Sequence, residues 1–359
     1  MPVEGHFVMA AGGTGGHVIP ALAVARELRE RGREVIFWGT RAGVEARMAP
    51  AEGFPIDWIE IGGLKNLGVA RQMQSLLQLG RATWQLRRVI ERRRPAAVFS
   101  MGGYVAGPSV IAAILAKVPV VAMEPNAVPG LTNRAVGRWV VRALTGFEET
   151  TRYFPRGRAE RTGVPVRAEF FAIAPKPRSD TFHVLVTGGS QGSRTLNRAA
   201  RDSWPLFRRE GLPVRMTLQC GRNDSAEDLS SSLKNAEMDG DVFEFIEGMP
   251  AAFAAVDLIF CRSGAGCCAE LAAAGKPAVL VPFPFATDQH QLRNAEAMER
   301  AGAARVVRDS EMTGRKLFEM VASLAADQAG LRRMGEAARS LAMPGAAKRA
   351  ADVLEEAAR

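Results

Sequence analysis

The length, composition and charge of the chain narrow what it can be. With 359 residues, of which 47% are hydrophobic and 24% charged, it is long enough for two domains with packed cores and does not resemble a disordered chain. The excess of 47 basic over 38 acidic residues gives a formal net charge of +9, which favours anionic partners such as nucleotide phosphates, nucleic acid or an acidic membrane surface.

Cysteine usage and hydropathy argue against further classes. The four cysteines, Cys220, Cys261, Cys267 and Cys268, form no C-x-x-C pair, so neither a zinc knuckle nor a disulfide scaffold is indicated and a reducing compartment is expected. The uncharged segment 101–116 contains three glycines and a proline and is shorter than the roughly 20 apolar residues of a spanning helix. We therefore expect no membrane span, and the first residues do not have the pattern of a secretory signal.

In chain order, the first half predicts strands alternating with helices. An apolar run at 7–10 leads into the glycine-rich segment 12–17 and then into a helix that is predicted to begin at Pro20 and to end at Gly32. Further strands are predicted at Val35–Trp38, Ala97–Ser100, Val118–Ala122 and Ala143–Gly146. This alternation is typical of a parallel, doubly wound sheet.

The segment from Leu64 to Arg94 is basic and amphipathic. It contains many basic residues and a single acidic one, Glu91, and the basic residues are interleaved with leucines and Trp84. Such a stretch can lie on an anionic bilayer with its apolar face at the acyl boundary. The same pattern is typical of an ordinary helix that packs its apolar stripe inward, and nucleic acid is a third interpretation, although the chain has no recognition module for it.

An internal repeat marks the start of the second half, because residues 183–192 echo residues 7–16. The repeat pairs Gly12 with Gly188, Gly13 with Gly189, Thr14 with Ser190 and Gly16 with Gly192. Strands are then predicted at Val184–Thr187, Val214–Gln219, Val242–Ile246, Leu258–Cys261, Ala278–Val281 and Arg305–Val307. We therefore expect two α/β domains in tandem, joined by the proline-bearing stretch 163–177.

The two glycine-rich segments predict sites for a phosphate or a sugar. Neither is a P-loop, and residues 39–41 lack the acid that follows the second strand of a dinucleotide-binding domain. Glycines still let backbone N–H groups at a helix start approach a phosphate closely. A single loop of this kind is equally typical of a tight turn without a ligand. Two such loops, each after the first strand of its domain, would line a shared crevice if the domains faced one another.

Two further segments predict parts of a nucleotide-sugar site. Residues 261–270 place small residues after a strand and Glu270 early in the next helix, where a carboxylate suits the two hydroxyls of a ribose. The simpler interpretation of Glu270 is a favourable interaction with the helix dipole. Of the four histidines, His17 and His290 lie beside predicted sites, and His17 is the better candidate for a general base.

Together these segments resemble the MurG family, the N-acetylglucosaminyltransferases of peptidoglycan synthesis. The motifs run in order from about residue 7 to 310, and they are Gly12-Gly-Thr-Gly-Gly-His17, Ser100-Met-Gly-Gly-Tyr104, Glu124-Pro-Asn126 with Val128-Pro-Gly-Leu-Thr-Asn133, Gly188-Gly-Ser-Gln-Gly192, Arg262-Ser-Gly264 with Glu270, and Asp288-Gln-His-Gln291 with Asn294-Ala295. The resemblance implies the α/β GT-B fold, with two Rossmann-like, doubly wound parallel-sheet domains facing across a cleft.

The resemblance also implies a different role for each of the two domains. Residues 1–166 would form the domain on the acceptor and membrane side, with the helix 344–359 packing back on it. Residues 167–343 would form the domain that binds UDP-GlcNAc.

The implied reaction is an inverting transfer of GlcNAc from UDP-GlcNAc to the C4 hydroxyl of the MurNAc of lipid I, undecaprenyl-pyrophosphoryl-MurNAc-pentapeptide. It forms the β-1,4 bond of lipid II in cell-wall biogenesis, without a metal or other cofactor. The implied location is peripheral, on the anionic cytoplasmic face of the bacterial cell membrane, with no nucleic acid as partner. A GT-B transferase for another UDP-sugar or glycolipid acceptor, and a nucleotide-sugar-binding scaffold without turnover, remain alternatives.

Carried over position by position, the resemblance implies a catalytic role for His17 as the acceptor base or its orienter. The residues implied to bind UDP-GlcNAc are Thr14, Gly15 and Gly16 near the donor sugar and phosphates, Asn126 and Gln291 at the GlcNAc, Arg167 and Ser190 at the diphosphate, Ile246 at the uracil, Ala265, Gly266, Cys267, Cys268 and Ala269 at a helix start, and Glu270 at the ribose.

The sequence departs from the family pattern in three ways. Val164 stands where the family usually has Asn, and Pro125 replaces a frequent Gln. The pair Gly266-Cys267 replaces Leu-Thr, which removes a hydroxyl near the phosphates and leaves Cys267 with only its backbone N–H for that role.

Overall fold

The computed structural model describes residues 5–13, 15–59, 69–177 and 179–359, without the side chains of residues 69–79, 81, 104, 105 and 287. The chain divides into two compact units, the first made of residues 1–166 with 345–359 and the second of residues 167–344. Each unit is an α/β structure around its own sheet.

The first unit is built on a parallel sheet that has seven strands within the described residues. They are β1 (Phe7–Ala10), β2 (Val35–Gly39), β3 (Ile56–Trp58), β4 (Ala97–Ser100), β5 (Val120–Glu124), β6 (Arg142–Thr145) and β7 (Ala159–Arg161). Their order in the sheet is β3-β2-β1-β4-β5-β6-β7, and Phe7 pairs with Val35 on one side and Ala97 on the other.

Helices cover both faces of this sheet, which is why its central strands are continuous apolar runs. The helices are α1 (Gly15–Glu30), α2 (Glu45–Ala51), α3 (Val69–Arg93), α4 (Gly103–Leu115) and α5 (Leu131–Val136). Along β1, Phe7 and Met9 join the core beneath α1, whereas Val8 and Ala10 join the core beneath α3 and α4. The side chains therefore alternate between two cores, as the period of a strand requires.

The second unit repeats this plan with a six-stranded parallel sheet, again counted over described residues. Its strands are β8 (Phe182–Thr187), β9 (Val214–Gln219), β10 (Asp239–Phe243), β11 (Leu258–Cys261), β12 (Ala278–Leu280) and β13 (Ala304–Val306). They lie in the order β10-β9-β8-β11-β12-β13. The helices are α6 (Arg194–Glu210), α7 (Ala226–Asn235), α8 (Met249–Ala255), α9 (Ala265–Ala274), α10 (His290–Arg300), α11 (Gly314–Ala326) and α12 (Gln328–Ser340).

The helix α13 (Ala346–Ala357) follows the second unit in sequence but belongs to the first. It packs on α1, and Leu354 is completely buried in the core that α1 shares with β1. Arg349 donates to both carboxylate oxygens of Glu160, at 2.7 and 2.8 Å, and this pairing holds the pKa of Glu160 below its usual value. Apolar packing and a bidentate ion pair thus fix α13 in place.

Three details of the secondary structure differ from the sequence-based predictions. The helix α1 begins at Gly15 and not at Pro20, because the glycine loop itself turns directly into the helix. The strand β10 lies at 239–243, three residues before its predicted position. The short strands β3 and β7 were not predicted, and both lie at sheet edges.

Candidate active site

Both sheets have a point at which the strand order reverses. In the first unit this point lies between β1 and β4, and in the second it lies between β8 and β11. Ligands of open parallel α/β sheets bind outside the carboxyl ends of the strands at such a reversal. The glycine loops follow β1 and β8, so each unit carries one of them at its expected ligand-binding edge.

In the first unit, a buried carboxylate holds the glycine loop. Glu45 has no exposed surface and accepts hydrogen bonds from the N–H of Gly13 at 2.9 Å, the N–H of Thr40 at 2.8 Å and the hydroxyl of Thr40 at 3.0 Å. Gly13 has a φ of +92°, which favours glycine. Gly15 and Gly16 are the first residues of α1, whereas Thr14 lies outside the described residues.

His17 lies in the first turn of α1, where its half-buried side chain packs against the start of α4. A Cβ on Gly103 would lie 3.2 Å from Cε1 and 3.4 Å from Nδ1 of His17. Gly103 also has a φ of +79°. The loop after β4 therefore has a glycine where the imidazole of His17 needs the space.

A second buried carboxylate orders the loop that carries Asn126. Glu124, the last residue of β5, accepts hydrogen bonds from the N–H and the side-chain amide of Asn126, each at 3.0 Å, from the N–H of Gly130 at 3.0 Å and from the amide of Asn133 at 2.9 Å. Burial raises the pKa of Glu124, and the N–H donors oppose that rise. Because all four partners are donors, they suit the ionised carboxylate.

In the second unit, the loop after β8 is a tight glycine turn. A Cβ on Gly192 would lie 1.8 Å from the carbonyl oxygen of Cys220, so no larger residue fits. Ser193 then caps α6 by accepting from the N–H of Leu196. Ser190 is exposed at the tip of this turn, where its hydroxyl is accessible to a ligand.

The start of α9 follows β11, on the other side of the strand-order reversal. Arg262 donates to Asp309 at 2.6 Å and to the carbonyl of Val281 at 3.0 Å, and the buried Ser263 donates to the carbonyl of Gln291 at 2.8 Å. These bonds fix the turn before the helix.

The helix then begins at Ala265, and Ala265, Gly266 and Cys267 contribute first-turn N–H groups, which have no partners inside a helix. The N–H of Cys268 already donates to the carbonyl of Gly264. Ala269 follows within the same helix.

Glu270 is half-buried in the second turn of α9. Burial raises its pKa to about 7, and the positive charge of Arg167 opposes the rise. Arg167 precedes a 3₁₀ turn at 168–170 and lies over the ring of Phe170. The unit therefore holds one carboxyl poised near neutrality and one nearby cation.

Ile246 and Gln291 follow two further strands, Ile246 in a loop and Gln291 at the start of a helix. Ile246 is half-buried in the loop between β10 and α8. The predicted strand included Ile246, but β10 ends at Phe243. Gln291 lies in the first turn of α10, and its side-chain oxygen accepts from the N–H of Phe283 at 3.0 Å. This bond directs the role of Gln291, because only its NH₂ group is left to donate to a ligand.

The structure thus groups the predicted residues by unit. Gly15, Gly16, His17 and Asn126 follow strands of the first sheet, and Ser190, Ile246, the start of α9 and Gln291 follow strands of the second, with Arg167 near Glu270. Sequence reasoning assigned no role to Glu45 or Gly103 and quoted Glu124 only within a motif. The Gly-x-x-x-Gly-x-Glu spacing at 39–45 offers no recognisable signal, since Glu45 bonds a loop 32 residues away.

The described residues offer neither a metal-binding cluster nor a membrane-spanning helix. No group of three or more His, Cys, Asp or Glu side chains there is arranged to hold a metal ion. No helix in that part of the chain is long and apolar enough to cross a membrane.

Comparison with known proteins places the chain in a family. Residues 7–145 match the model of the glycosyltransferase family 28 N-terminal domain, and residues 183–354 match that of the family 28 C-terminal domain. A relative from Solibacter usitatus, named UDP-N-acetylglucosamine--N-acetylmuramyl-(pentapeptide) pyrophosphoryl-undecaprenol N-acetylglucosamine transferase, is 60% identical over 98% of this chain and 96% of its own length. A relative of the same name from Halorhodospira halophila is 44% identical over 98% of each.

Solved structures agree with this assignment. MurG of Acinetobacter baumannii has a TM-score of 0.82 and 32% identity, covering 98% of this chain and 99% of its own. The glycosyltransferase of kitacinnamycin has a TM-score of 0.76 at 21% identity over 100% of both chains, a likeness of fold alone. With the two parallel sheets, these matches confirm the predicted GT-B class. The chain belongs to glycosyltransferase family 28 and, within it, to the MurG family.

Proposed function

We propose that this protein transfers GlcNAc from UDP-GlcNAc to the C4 hydroxyl of MurNAc in lipid I and so forms lipid II. The observation that carries the proposal is the 60% identity to the Solibacter transferase over nearly the whole chain. The glycine loops at the strand-order reversals of both sheets support it, because a two-substrate transfer requires a nucleotide-sugar site and an acceptor site.

The second unit is the donor domain in this proposal. The first-turn N–H groups of α9 and the hydroxyl of Ser190 bind the diphosphate, because a helix start favours negative charge. Glu270 accepts hydrogen bonds from the ribose hydroxyls, and backbone groups of Ile246 bind the uracil. The NH₂ group of Gln291 donates to hydroxyls of GlcNAc.

The first unit is the acceptor domain. The acceptor oxygen attacks C1 of GlcNAc as the bond from C1 to the UDP oxygen breaks, and the hydroxyl proton passes to His17. One displacement converts the α-linked donor into a β-linked product. Glu45 positions His17 by holding the glycine loop before it, and Gly103 leaves space for its imidazole. Glu124 fixes the loop of Asn126, and Asn126 binds the GlcNAc group.

The departing UDP carries the negative charge that develops in this reaction. Preorganised N–H dipoles that point at such a charge stabilise the transition state without rearranging. Arg167 adds a full positive charge near this site. The protein's own groups therefore supply the stabilisation that a metal ion supplies in other transferases.

We propose that α3 contacts the membrane that holds the lipid acceptor, at the cytoplasmic face of the bacterial cell membrane. Residues 64–68 and several side chains of the predicted basic segment lie outside the described part of the structure. In the described part, Trp84 is 55% exposed and the guanidinium of Arg88 lies 3.7 Å from its ring centroid. An exposed indole beside arginines fits the interface of an anionic bilayer.

A transfer assay with a water-soluble lipid I analogue tests the function directly. We expect radiolabel from UDP-GlcNAc in a product whose new bond is β-1,4, with the anomeric configuration determined by NMR. UDP-GalNAc and UDP-glucose serve as competing donors. Turnover preferring one of these donors would favour the alternative transferase, and UDP-GlcNAc binding without any turnover would favour the scaffold.

A further inference from the structure

Three of the four cysteines lie together beside the start of α9. Cys261 ends β11, Cys267 lies in the first turn of α9, and Cys268 follows it. The thiol of Cys267 donates to the sulfur of Cys261, with the two sulfurs 3.4 Å apart. Cys220 lies after β9, where its sulfur contacts the carbonyls of Asp224 and Phe243.

The three thiols differ in their access to solvent. Cys267 is half-buried, whereas Cys261 and Cys268 are buried. The hydrogen bond from Cys267, together with burial, raises the pKa of Cys261, and burial raises the pKa of Cys268. A small oxidant from solvent therefore meets Cys267 first, with the protonated thiol of Cys261 directly behind it.

We propose that Cys261 and Cys267 form a reversible disulfide that weakens donor binding, with a hydroperoxide as the oxidant. This inference rests on the proposed function, in which the start of α9 binds the diphosphate of the donor. The disulfide itself depends only on the arrangement of the two thiols.

Hydrogen peroxide supplies the oxidising equivalents in two steps. The sulfur of Cys267 attacks one peroxide oxygen, the O–O bond breaks, and water leaves as Cys267 becomes a sulfenic acid. The sulfur of Cys261 then attacks that of Cys267, the S–O bond breaks, and the departing hydroxide takes up the thiol proton as a second water. Two thiols are oxidised to one disulfide while one peroxide is reduced to two waters.

Closing the disulfide moves the helix start. A disulfide bond is about 2.05 Å long, so the two sulfurs must approach each other by roughly 1.4 Å. Cys261 is held in the sheet by its pairing with Leu280, and the adjustment therefore falls largely on the first turn of α9. The N–H groups of Ala265, Gly266 and Cys267 lie in that turn, and hydrogen bonds weaken steeply when their geometry is lost.

Peptide mapping tests the disulfide. The full-length reduced protein is treated with hydrogen peroxide, its remaining thiols are alkylated, and trypsin cleaves after Arg262, which separates Cys261 from Cys267. We expect one linked peptide pair in the wild type and in the matched controls Cys220→Ser and Cys268→Ser, and its loss in Cys261→Ser, in Cys267→Ser and after dithiothreitol. Absence of the linked pair in the wild type, or its loss in Cys268→Ser with retention in Cys267→Ser, would overturn the proposal.

Calorimetry with UDP then tests the link to the donor site, with each protein compared with its own reduced sample. We expect the affinity of the oxidised wild type for UDP to fall at least tenfold and to recover with dithiothreitol. Once the same reductant has removed the disulfide from Cys220→Ser, that variant should also show no such loss. Unchanged affinity in a sample that contains the linked peptides would refute the coupling. Failure of the reduced wild type to bind UDP would contradict the proposed donor site and leave the peptide result to decide the disulfide.

Discussion

Glu270 is a titratable residue whose environment makes a pH-dependent prediction. Its pKa of about 7 means that the carboxyl is partly protonated at neutrality, whereas ribose hydroxyls need the ionised form as acceptor. Donor binding should therefore strengthen as the pH rises through 7. From pH 6 to pH 8 we expect the KM for UDP-GlcNAc to fall by up to about tenfold.

The variant Glu270→Gln separates this effect from general pH effects. It should raise the donor KM by about tenfold to a hundredfold at pH 8, since a hydrogen bond to a charged group contributes about 1.5–3 kcal/mol. The acceptor KM should not change, and the donor KM should become independent of pH across the same range. A wild-type pH profile that persists in Glu270→Gln would assign the titration to another group.

Removal of the imidazole of His17 should affect turnover and not donor binding. We expect His17→Ala to lower kcat by roughly two to four orders of magnitude, the contribution typical of a general base. The affinity for UDP, measured by calorimetry, should be unchanged, because the groups proposed above to bind the uracil, the ribose and the diphosphate lie in the second unit. His183→Gln is a control at the start of β8, and an equal loss of UDP affinity in His17→Ala would indicate a structural role.

Glu45 should prove essential to the first glycine loop. In Glu45→Gln, the new NH₂ group must face either the N–H of Gly13 or the two donors of Thr40. A buried donor left without an acceptor costs about 1–3 kcal/mol, which should appear as a lower urea midpoint together with reduced kcat. Glu30→Gln, at an exposed position in α1, is the matched control, and equal midpoints for the two variants would contradict this role of Glu45.

Residues differ in how readily the sequence reveals them. The glycines at 12–16 and 188–192 were predictable because close backbone approach leaves a local pattern. Glu45 and Gly103 were not, because each acts on a residue distant in sequence: Glu45 on Gly13, and Gly103 on His17. Such contacts exist only once the strands are paired.

At the scale of elements, the strands that were predicted well are the buried central ones. β1, β4, β8 and β11 are apolar runs with both faces covered. The misplaced β10 is an edge strand whose register depends on charge, because Arg215 of β9 bonds both Asp239 and Asp241 at 2.5 Å. The apolar residues therefore predicted a strand at 242–246, whereas pairing with Arg215 on the neighbouring strand places β10 at 239–243.

The α3 helix carries a prediction about membrane binding. Arg87 pairs with Glu91 and Arg93 pairs with Asp57, so Arg88 and Arg92 are the better choices for charge reversal. Since a basic side chain near an anionic surface contributes about 1 kcal/mol, changing both to Glu should weaken sedimentation with anionic vesicles at least tenfold. Transfer to a water-soluble acceptor should be unchanged.

A matched charge reversal tests whether position matters. Arg315 and Arg332 are exposed on α11 and α12 of the second unit, and changing both to Glu alters the net charge equally. We expect these variants to sediment like the wild type. If both double variants lost vesicle binding equally, the effect would come from overall charge and not from contact with α3.

For the whole molecule, we expect transfer to proceed without a divalent cation. The first-turn N–H groups of α9 and the positive charge of Arg167 are available to the diphosphate. Addition of EDTA to an assay with a soluble acceptor should leave kcat unchanged. A loss of activity that magnesium restores would show that a cation binds with the donor.

The return of α13 to the first unit affects the order in which the protein can fold during synthesis. The ribosome makes residues 167–344 before α13, so the nascent first unit lacks the helix that covers part of its core beside α1. The second unit is continuous in sequence and can close its core as soon as it has emerged. Although domains usually fold from the N-terminus onward during translation, here the domain that is started first is the one completed last.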